Sequence, residues 1–260
     1  MEMELCYSTT FYGPENPGGI TLREGLQILR DAGIRKVELS RKRDIGPEVV
    51  EHIQDLDMEV WAVHGTFGCL SDDSQLFRQS LDNEIARMRA AAPFAPCPYV
   101  LHYLDRFNDP AKGQRFRQAI GELAAANEDI GLILTIETVP HKPQNERYPF
   151  SSEVASFVRS WNSPKIQITI DINHSNLNED LFQVIRNCHG LIANIHVSDN
   201  HGLCEEHLLP GEGIIPLKAT MLELRKNGYT GPCNLELHLP DKITVDLICR
   251  INDQVRRTLA

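Results

Sequence analysis

The chain has 260 residues, of which 42% are hydrophobic and 24% are charged, a composition typical of a globular protein with a substantial core. Its 36 acidic and 26 basic residues give a net charge of −10, which disfavours broad electrostatic binding to nucleic acid or anionic lipid. Its apolar runs are far shorter than the roughly 20 residues that span a bilayer, and its start, MEMELCYS, lacks the basic and apolar parts of a signal peptide. We therefore expect no membrane span and a cytoplasmic location.

Strand-like and helix-like segments alternate along the chain. Strands are predicted at 3–9, 36–40, 60–65, 99–103, 132–138, 166–172, 191–199 and 232–238. Helices are predicted near 21–32, 46–56, 74–92, 111–130, 151–161, 178–187, 215–227 and 241–257. Several strands are nearly continuous apolar runs, as expected for parallel strands that are covered on both faces. Eight such units in succession predict an α/β fold, a single (β/α)8 TIM barrel that forms one domain over residues 1–260.

Residues typical of helix ends support these boundaries. Thr21 and Glu24 have the spacing of a capping box, and Gly33 follows the last turn of the same helix. A serine pair, Ser151 and Ser152, begins a second helical pattern, and Asn227-Gly228 ends a third. The helix pattern and the helix-end residues therefore predict the same elements.

Imidazoles and carboxylates stand at the carboxyl ends of the predicted strands, in runs such as VWAVHG, YVLHY, ILTIET, ITIDINH, ANIHVSD and CNLELH. They are His64, His102, Glu137, Asp171, His174, His196 and Glu236; the loop EEHLLPGEG adds Glu205 and His207. Such side chains are costly to bury without a partner. Because the carboxyl ends of barrel strands form one face, where barrel enzymes carry their active sites, we expect these groups to converge on a metal site.

Four of these residues form the predicted metal-ligand set, namely Glu137, Asp171, His196 and Glu236. Three carboxylates and one imidazole suit a single Mn²⁺ or Zn²⁺, with Co²⁺ or Mg²⁺ also compatible. A bound cation would also keep the carboxylates ionised together despite their repulsion. The alternative is a set of strand-end polar groups satisfied by backbone and water.

The remaining histidines are predicted to contact substrate. His174 follows Asp171 by three residues and either contacts substrate or caps a helix. We place His64, His102 and His207 as substrate-binding residues, and direct metal ligation by His64 and His102 remains open.

Other groups near this face have weaker assignments. The glycines of the GEG turn, residues 211–213, would let backbone approach a ligand or simply form a tight turn. Asp199, His201 and His238 are candidate partners for the second nitrogen of a metal-bound histidine. Three loop cations either receive a phosphate or are ordinary solvated charges: Arg106, Lys142 and Arg147.

The order of these motifs resembles the xylose-isomerase-like superfamily of metal-dependent TIM barrels, over essentially the whole chain. The motifs are IETVPHK at Glu137, DINH at Asp171, HVSDNHG and EEHLLPGEGIIP between His196 and Pro216, and LELH at Glu236. The resemblance implies that the four predicted ligands hold one divalent metal. It implies a sugar or sugar-phosphate isomerase or epimerase that acts through a metal-stabilised enediolate.

The resemblance also implies that Glu137 and Glu236 transfer the proton and that His174 contacts a small polyhydroxy carbonyl substrate. The ketose epimerases of the superfamily also use an arginine after the metal-binding histidine, and SDNHGLCEEHLL contains none. The resemblance therefore leaves the sugar open. It also implies a possible homo-oligomer.

The alternative within the superfamily is an endonuclease IV-like zinc phosphodiesterase that acts on abasic DNA. In that resemblance His64, His102 and the loop from Glu205 to His207 would complete a site for up to three Zn²⁺, beside the GEG turn. The net charge of −10 and the different opening loop, CYSTTFYGPENPGG, argue against it, and nucleic acid is not expected as a partner. A barrel that binds sugar without turnover is a third hypothesis.

Overall fold

The computed structural model describes residues 3–11, 19–40, 45–105, 108–140, 147–240 and 242–260. Within them, parallel strands are β1 Leu5–Ser8, β2 Lys36–Leu39, β3 Glu59–His64, β4 Pro98–His102, β5 Ile133–Glu137, β6 Ile166–Asp171, β7 Ile192–His196 and β8 Cys233–Leu235. Their spatial order is β7-β6-β5-β4-β3-β2-β1-β8. A parallel bridge between Val197 and Leu235 joins the two ends, with Val197 N donating to Asn234 O at 2.8 Å. The sheet is a barrel, which confirms the predicted fold.

Helices follow the strands, and all but the short α6 (Ile172–Asn176) cover the outside of the barrel. They are α1 Leu22–Asp31, α2 Pro47–Asp55, α3 Ser74–Ala91, α4 Pro110–Asn127, α5 Ser151–Arg159, α6 Ile172–Asn176, α7 Leu181–Asn187, α8 Leu217–Lys226 and α9 Val245–Leu259, with a short 3₁₀ turn at Ala92–Phe94. Among the described residues, none of these helices is long and apolar enough to cross a membrane.

The predicted helix ends are largely confirmed, with three differences. Thr21 and Glu24 form the capping box of α1, and Asn227 caps α8 before Gly228, whose φ of +91° suits glycine. The helix predicted from 178 begins at Leu181, because Asp180 accepts the capping hydrogen bond from Gln183 N. The helix predicted from 241 begins at Val245 after its cap Thr244, and residue 241 itself lies outside the described part. Helix α6 was not predicted.

The strands alternate between an apolar outer face and a polar inner face near the carboxyl end. Residues two apart in a strand share a face, and Thr135 and Thr169, two residues before Glu137 and Asp171, are buried and joined by an Oγ1–Oγ1 hydrogen bond of 2.7 Å. Asn194 and Asn234 precede His196 and Glu236 by the same interval and are fully buried. The strand residues between these positions belong to the hydrophobic core, so the helices pack on an apolar layer while a polar layer lies inside the barrel.

Candidate active site and metal centre

Strands β5 to β7, and the residue that follows β8, bring the four predicted ligands together. Ligand atoms of Glu137, Asp171, His196 and Glu236 all lie within 4.8 Å of one another. His196 Nδ1 lies 3.3 Å from Glu137 Oε1, 3.3 Å from Glu236 Oε2 and 3.7 Å from Asp171 Oδ2. Glu236 was predicted within the last strand but lies one residue beyond it, where its N–H donates to Val197 O at 3.2 Å.

The donor atoms of this cluster fit a divalent cation. Among the described residues, Glu137 Oε2 and Asp171 Oδ2 of this cluster, and His174 Nε2 beside it, are buried and make no hydrogen bond of good geometry. Buried polar atoms normally have partners, and a cation is a partner that carboxylate and imidazole donors can share. The four residues therefore have the chemistry of a site for Mn²⁺, Zn²⁺ or Co²⁺.

The two glutamates have opposite electrostatic environments. Burial acts to raise the pKa of Glu137, but the imidazoles of His102 and His196 outweigh it and hold that pKa well below its usual value. Burial raises the pKa of Glu236, and the imidazoles of His196 and His207 offset it only in part. Two carboxyl groups at one centre therefore differ in their affinity for a proton.

His64 and His102 face Glu137 from β3 and β4. Their Nε2 atoms lie 3.3 Å and 3.2 Å from Glu137 Oε2, and the three residues form a second group with metal-ligand spacing. His64 Nδ1 lies 2.9 Å from the carbonyl of Gly65, which can only accept, so Nδ1 carries a proton and Nε2 is the nitrogen directed at Glu137. Both histidines are therefore placed either to bind substrate or to ligate a metal.

A third group joins helix α6 to the loop after β7. His174 lies in the first turn of α6, where Asp171 Oδ1 accepts from its N–H at 2.8 Å, so Asp171 caps this helix as well as facing the cluster. His174 Nε2 lies 3.5 Å and His207 Nε2 lies 3.0 Å from Glu205 Oε1. The structure thus brings together all the predicted substrate-binding and catalytic histidines, around three adjacent groups.

Acidic neighbours make two of these imidazoles unusually basic. Burial acts to lower the pKa of His174, but Asp171 and Glu205 raise it to about 10. The pKa of His207 is raised to about 9, because the carboxylates of Glu205 and Glu236 outweigh its burial. Without a bound cation, both rings are therefore in the positively charged imidazolium form at neutral pH.

The loop that carries Glu205 and His207 is held by Asp199. Asp199 Oδ1 accepts from the N–H groups of Asn200 at 2.9 Å and Ile215 at 3.0 Å, and Oδ2 accepts from Gly211 N at 2.9 Å. His207 has a φ of +52°, a strained conformation for a non-glycine residue, so the loop fixes its backbone where its ring meets Glu205.

The contacts of this loop favour ordinary structural roles for Asp199 and for the GEG residues. Asp199 binds backbone N–H groups instead of a metal-bound histidine. At Gly213 an added Cβ would lie 2.3 Å from Asn200 O and from Asp199 Oδ1, so the glycine allows the loop to pack closely on itself, as the tight-turn alternative for the GEG residues expects. His201 pairs with Glu206 at the surface, and the His238 ring lies 5.0 Å from the His207 ring.

Of the three loop cations, Arg147 lies in the described part of the chain. Arg147 pairs with Glu153 at 2.6 Å and with Asp105 at 3.5 Å, as ordinary loop charges do. Arg106, Lys142 and residues 12–18 of the opening loop lie outside the described residues.

The sequence analysis missed Glu38. Its Oε2 lies 2.9 Å from His196 Nε2, and its side chain is fully buried on β2 inside the barrel. A glutamate between Val37 and Leu39 in a predicted strand was the available signal, since the alternation of the strand directs it to the face opposite its apolar neighbours.

Comparison with known proteins finds relatives that are similar in sequence and solved structures that are similar in fold. A putative hydroxypyruvate isomerase of Streptomyces coelicolor is 32% identical over 136 residues, which are 49% of this chain and 47% of that protein. The D-psicose 3-epimerase of Agrobacterium fabrum is 27% identical over 134 residues, 51% of this chain and 43% of that protein. The chain thus spans less than half the length of these two relatives.

A solved structure and a family model cover far more of the chain. The crystal structure of the IOLI protein with a binding zinc atom has a TM-score of 0.77 at 17% identity, and covers 98% of this chain and 96% of that chain. At that identity the likeness concerns the fold. The model of a family described as the xylose isomerase-like TIM barrel matches residues 26–254. Because this match takes in most of the chain, the protein belongs to the xylose isomerase-like TIM barrel family.

Proposed function

We propose that the protein is a divalent-metal-dependent isomerase or epimerase that acts on a small polyhydroxy carbonyl compound, a sugar or a sugar phosphate. The observation that carries this proposal is the pair of glutamates at one buried centre, with Glu137 Oε1 and Glu236 Oε2 each 3.3 Å from His196 Nδ1. Two carboxylates beside one bound substrate carbon can remove and return a proton. The hydroxypyruvate isomerase and D-psicose 3-epimerase relatives support the same class of reaction.

Glu137, Asp171, His196 and Glu236 would hold the cation, Mn²⁺ or Zn²⁺ in the first place, with Co²⁺ and Mg²⁺ also compatible with these donors. A bound divalent metal supplies Lewis-acid polarisation of the substrate carbonyl. The zinc atom bound in the IOLI protein supports zinc as the first metal to test.

The chain's own residues would then move the proton. One of Glu137 and Glu236 takes a proton from the carbon beside the carbonyl, and the other returns it. Return to the opposite face of the same carbon gives epimerisation, and return to the adjacent carbon gives isomerisation. His174, whose Nε2 has no hydrogen bond of good geometry within the described part of the protein, would orient a substrate oxygen, and His64, His102 and His207 would bind further oxygens.

The test is exchange of solvent deuterium into substrate carbon in D₂O, with hydroxypyruvate and D-psicose as probes and Mn²⁺ or Zn²⁺ supplied. The native protein is expected to exchange a carbon-bound hydrogen of one probe. Glu236→Gln keeps the size of the side chain, and is expected to bind metal yet lose at least about 100-fold in exchange rate, the scale of general acid–base catalysis. Full exchange by the metal-loaded variant would remove Glu236 from proton transfer.

A second candidate is a multi-zinc phosphodiesterase. The observation in its favour is that His64 and His102 with Glu137, and His174 and His207 with Glu205, form two further groups of metal-ligand spacing beside the first. Against it stand the net charge of −10 and relatives named as isomerases and epimerases. Elemental mass spectrometry of purified protein separates the two: one metal per chain favours the isomerase, and three zinc ions favour cleavage of abasic-site DNA.

The wider setting of this activity stays a prediction. We expect residues 1–260 to form a single domain. We also expect a cytoplasmic location, no nucleic-acid partner and a possible homo-oligomer. Light scattering coupled to size-exclusion chromatography would measure the oligomeric state.

A further inference from the structure

The two ring nitrogens of His196 have different carboxylate neighbours. Nδ1 faces the candidate metal centre, 3.3 Å from Glu137 Oε1 and Glu236 Oε2. Nε2 points the other way and lies 2.9 Å from Oε2 of Glu38, which belongs to β2 and to none of the three groups with metal-ligand spacing. A neutral imidazole has one proton, so the group that accepts it decides which nitrogen is free to bind a cation.

We propose that Glu38 is a positioning residue that accepts the Nε2 proton of His196 and thereby presents Nδ1 as a metal ligand. The inference rests on the proposed function, because it takes His196 as a ligand. Glu38 acts through His196 and does not itself face the centre. A metal-bound histidine usually donates its other nitrogen to such an acceptor, which fixes the tautomer and the ring plane and makes the ligand nitrogen more basic.

The surroundings of Glu38 hold its carboxylate in the position that this role needs. Oε2 accepts from Asn234 Nδ2 at 2.8 Å and lies 3.4 Å from Asn194 Nδ2, and Trp61 Nε1 donates to Asn194 Oδ1 at 2.9 Å. These donors come from β3, β7 and β8, so the carboxylate is fixed from several sides of the barrel. It can rotate away from His196 only by breaking them.

Burial of this carboxylate argues against a merely structural role. The side chain is fully buried, and its second oxygen, Oε1, has no hydrogen-bond partner among the described residues. A buried carboxylate with an unsatisfied oxygen is costlier to bury than a neutral side chain of the same size. A neutral glutamine could occupy the same space and accept from the same amides, whereas only a carboxylate strongly favours a proton on His196 Nε2.

The test is made on zinc-loaded protein with ¹⁵N-labelled histidine. In the native chain the His196 spectrum is expected to show a proton on Nε2 and zinc on Nδ1. Glu38→Gln is expected to weaken zinc binding by about 10-fold and Glu38→Leu by up to about 100-fold, measured by competition with a chromogenic chelator. Both variants are expected to shift the His196 Nε2 signal, a change that general loosening of the core would not confine to one ring.

The matched control is Glu84→Gln. Glu84 is also a buried carboxylate, 1% exposed, but it accepts from Tyr99 OH and from Thr66, away from His196. This variant is expected to leave the His196 signal unchanged. An equal shift in the control would mean that loss of any buried carboxylate disturbs the ring, and would overturn the proposal.

Two further outcomes are decisive. The first is a native spectrum in which His196 carries its proton on Nδ1 and zinc on Nε2, which overturns the proposal even if the Glu38 variants do not fold. The second is a folded Glu38→Gln protein with native zinc affinity and an unchanged His196 signal, which also overturns it. In both cases zinc still binds, so the proposed function survives. A native chain that binds none of zinc, manganese, cobalt and magnesium would instead refute the proposed function, and the role of Glu38 with it.

Discussion

Replacement of Asp199 is expected to release the loop that carries Glu205 and His207. The Asp199 side chain is 1% exposed and accepts from three backbone N–H groups, those of Asn200, Gly211 and Ile215, at 2.9–3.0 Å. In Asp199→Ala these donors lose their acceptor, and each buried unsatisfied donor costs about 1–3 kcal/mol. Asn200 and Ile215 are buried whereas Gly211 is exposed, so the two buried donors together cost about 2–6 kcal/mol, a large part of the stability of a typical domain.

The loop is expected to open before the barrel unfolds, because opening lets water satisfy the three donors. The free energy of local opening should therefore fall by about 2 kcal/mol or more in Asp199→Ala. Asp199→Asn can accept from Asn200 and Ile215 through its one carbonyl oxygen but not from the exposed Gly211, so its loss should be smaller, about 1 kcal/mol. The two variants give a graded series from the same site.

Native-state hydrogen exchange at the amides of Gly211 and Ile215 measures this opening directly, with urea denaturation as the measure of global stability. Faster exchange at these two amides, in the order alanine, asparagine, native, is the expected result. Unchanged exchange in Asp199→Ala would refute the reasoning, since it would mean that the loop does not depend on this carboxylate. Amides within α4, which are bonded inside their own helix and not to Asp199, serve as the internal control.

Three other predictions concern stability. Burial raises the pKa of the Cys188 thiol from 9.0 to about 12. The contribution of the neutral thiol to the free energy of unfolding is therefore complete below pH 9 and is lost as the pH rises toward 12, at about 1.4 kcal/mol per pH unit. In urea titrations Cys188→Ser should reduce this dependence of stability on pH, whereas Cys204→Ser, at an exposed cysteine, should not. Thr21→Ala removes the α1 capping box and should cost about 1 kcal/mol, whereas no change in the urea midpoint would contradict the cap. Gly213→Ala would place a Cβ 2.3 Å from Asn200 O, so this variant should have a lower thermal midpoint than the native protein. A midpoint equal to the native one would argue against the packing described for this loop.

Local patterns in the sequence were sufficient for the barrel and for most of the site. The alternation of strand and helix patterns predicts eight parallel strands, and Thr21 with Glu24 marks a helix start, because these signals depend only on neighbours along the chain. Glu137, Asp171 and His196 could be predicted to converge, since parallel strands bring their carboxyl ends to one edge.

Only the tertiary structure decided which side chains meet across the barrel. Glu38 and His196 are 158 positions apart, and no local pattern indicates that β2 lies opposite the Nε2 side of a histidine on β7. The grouping of His174 with Glu205 and His207, and the use of Asp199 to bind backbone, likewise depend on the path of a loop. Strand periodicity determines the direction in which a side chain points, whereas its partner is determined by how the barrel closes and how its loops return.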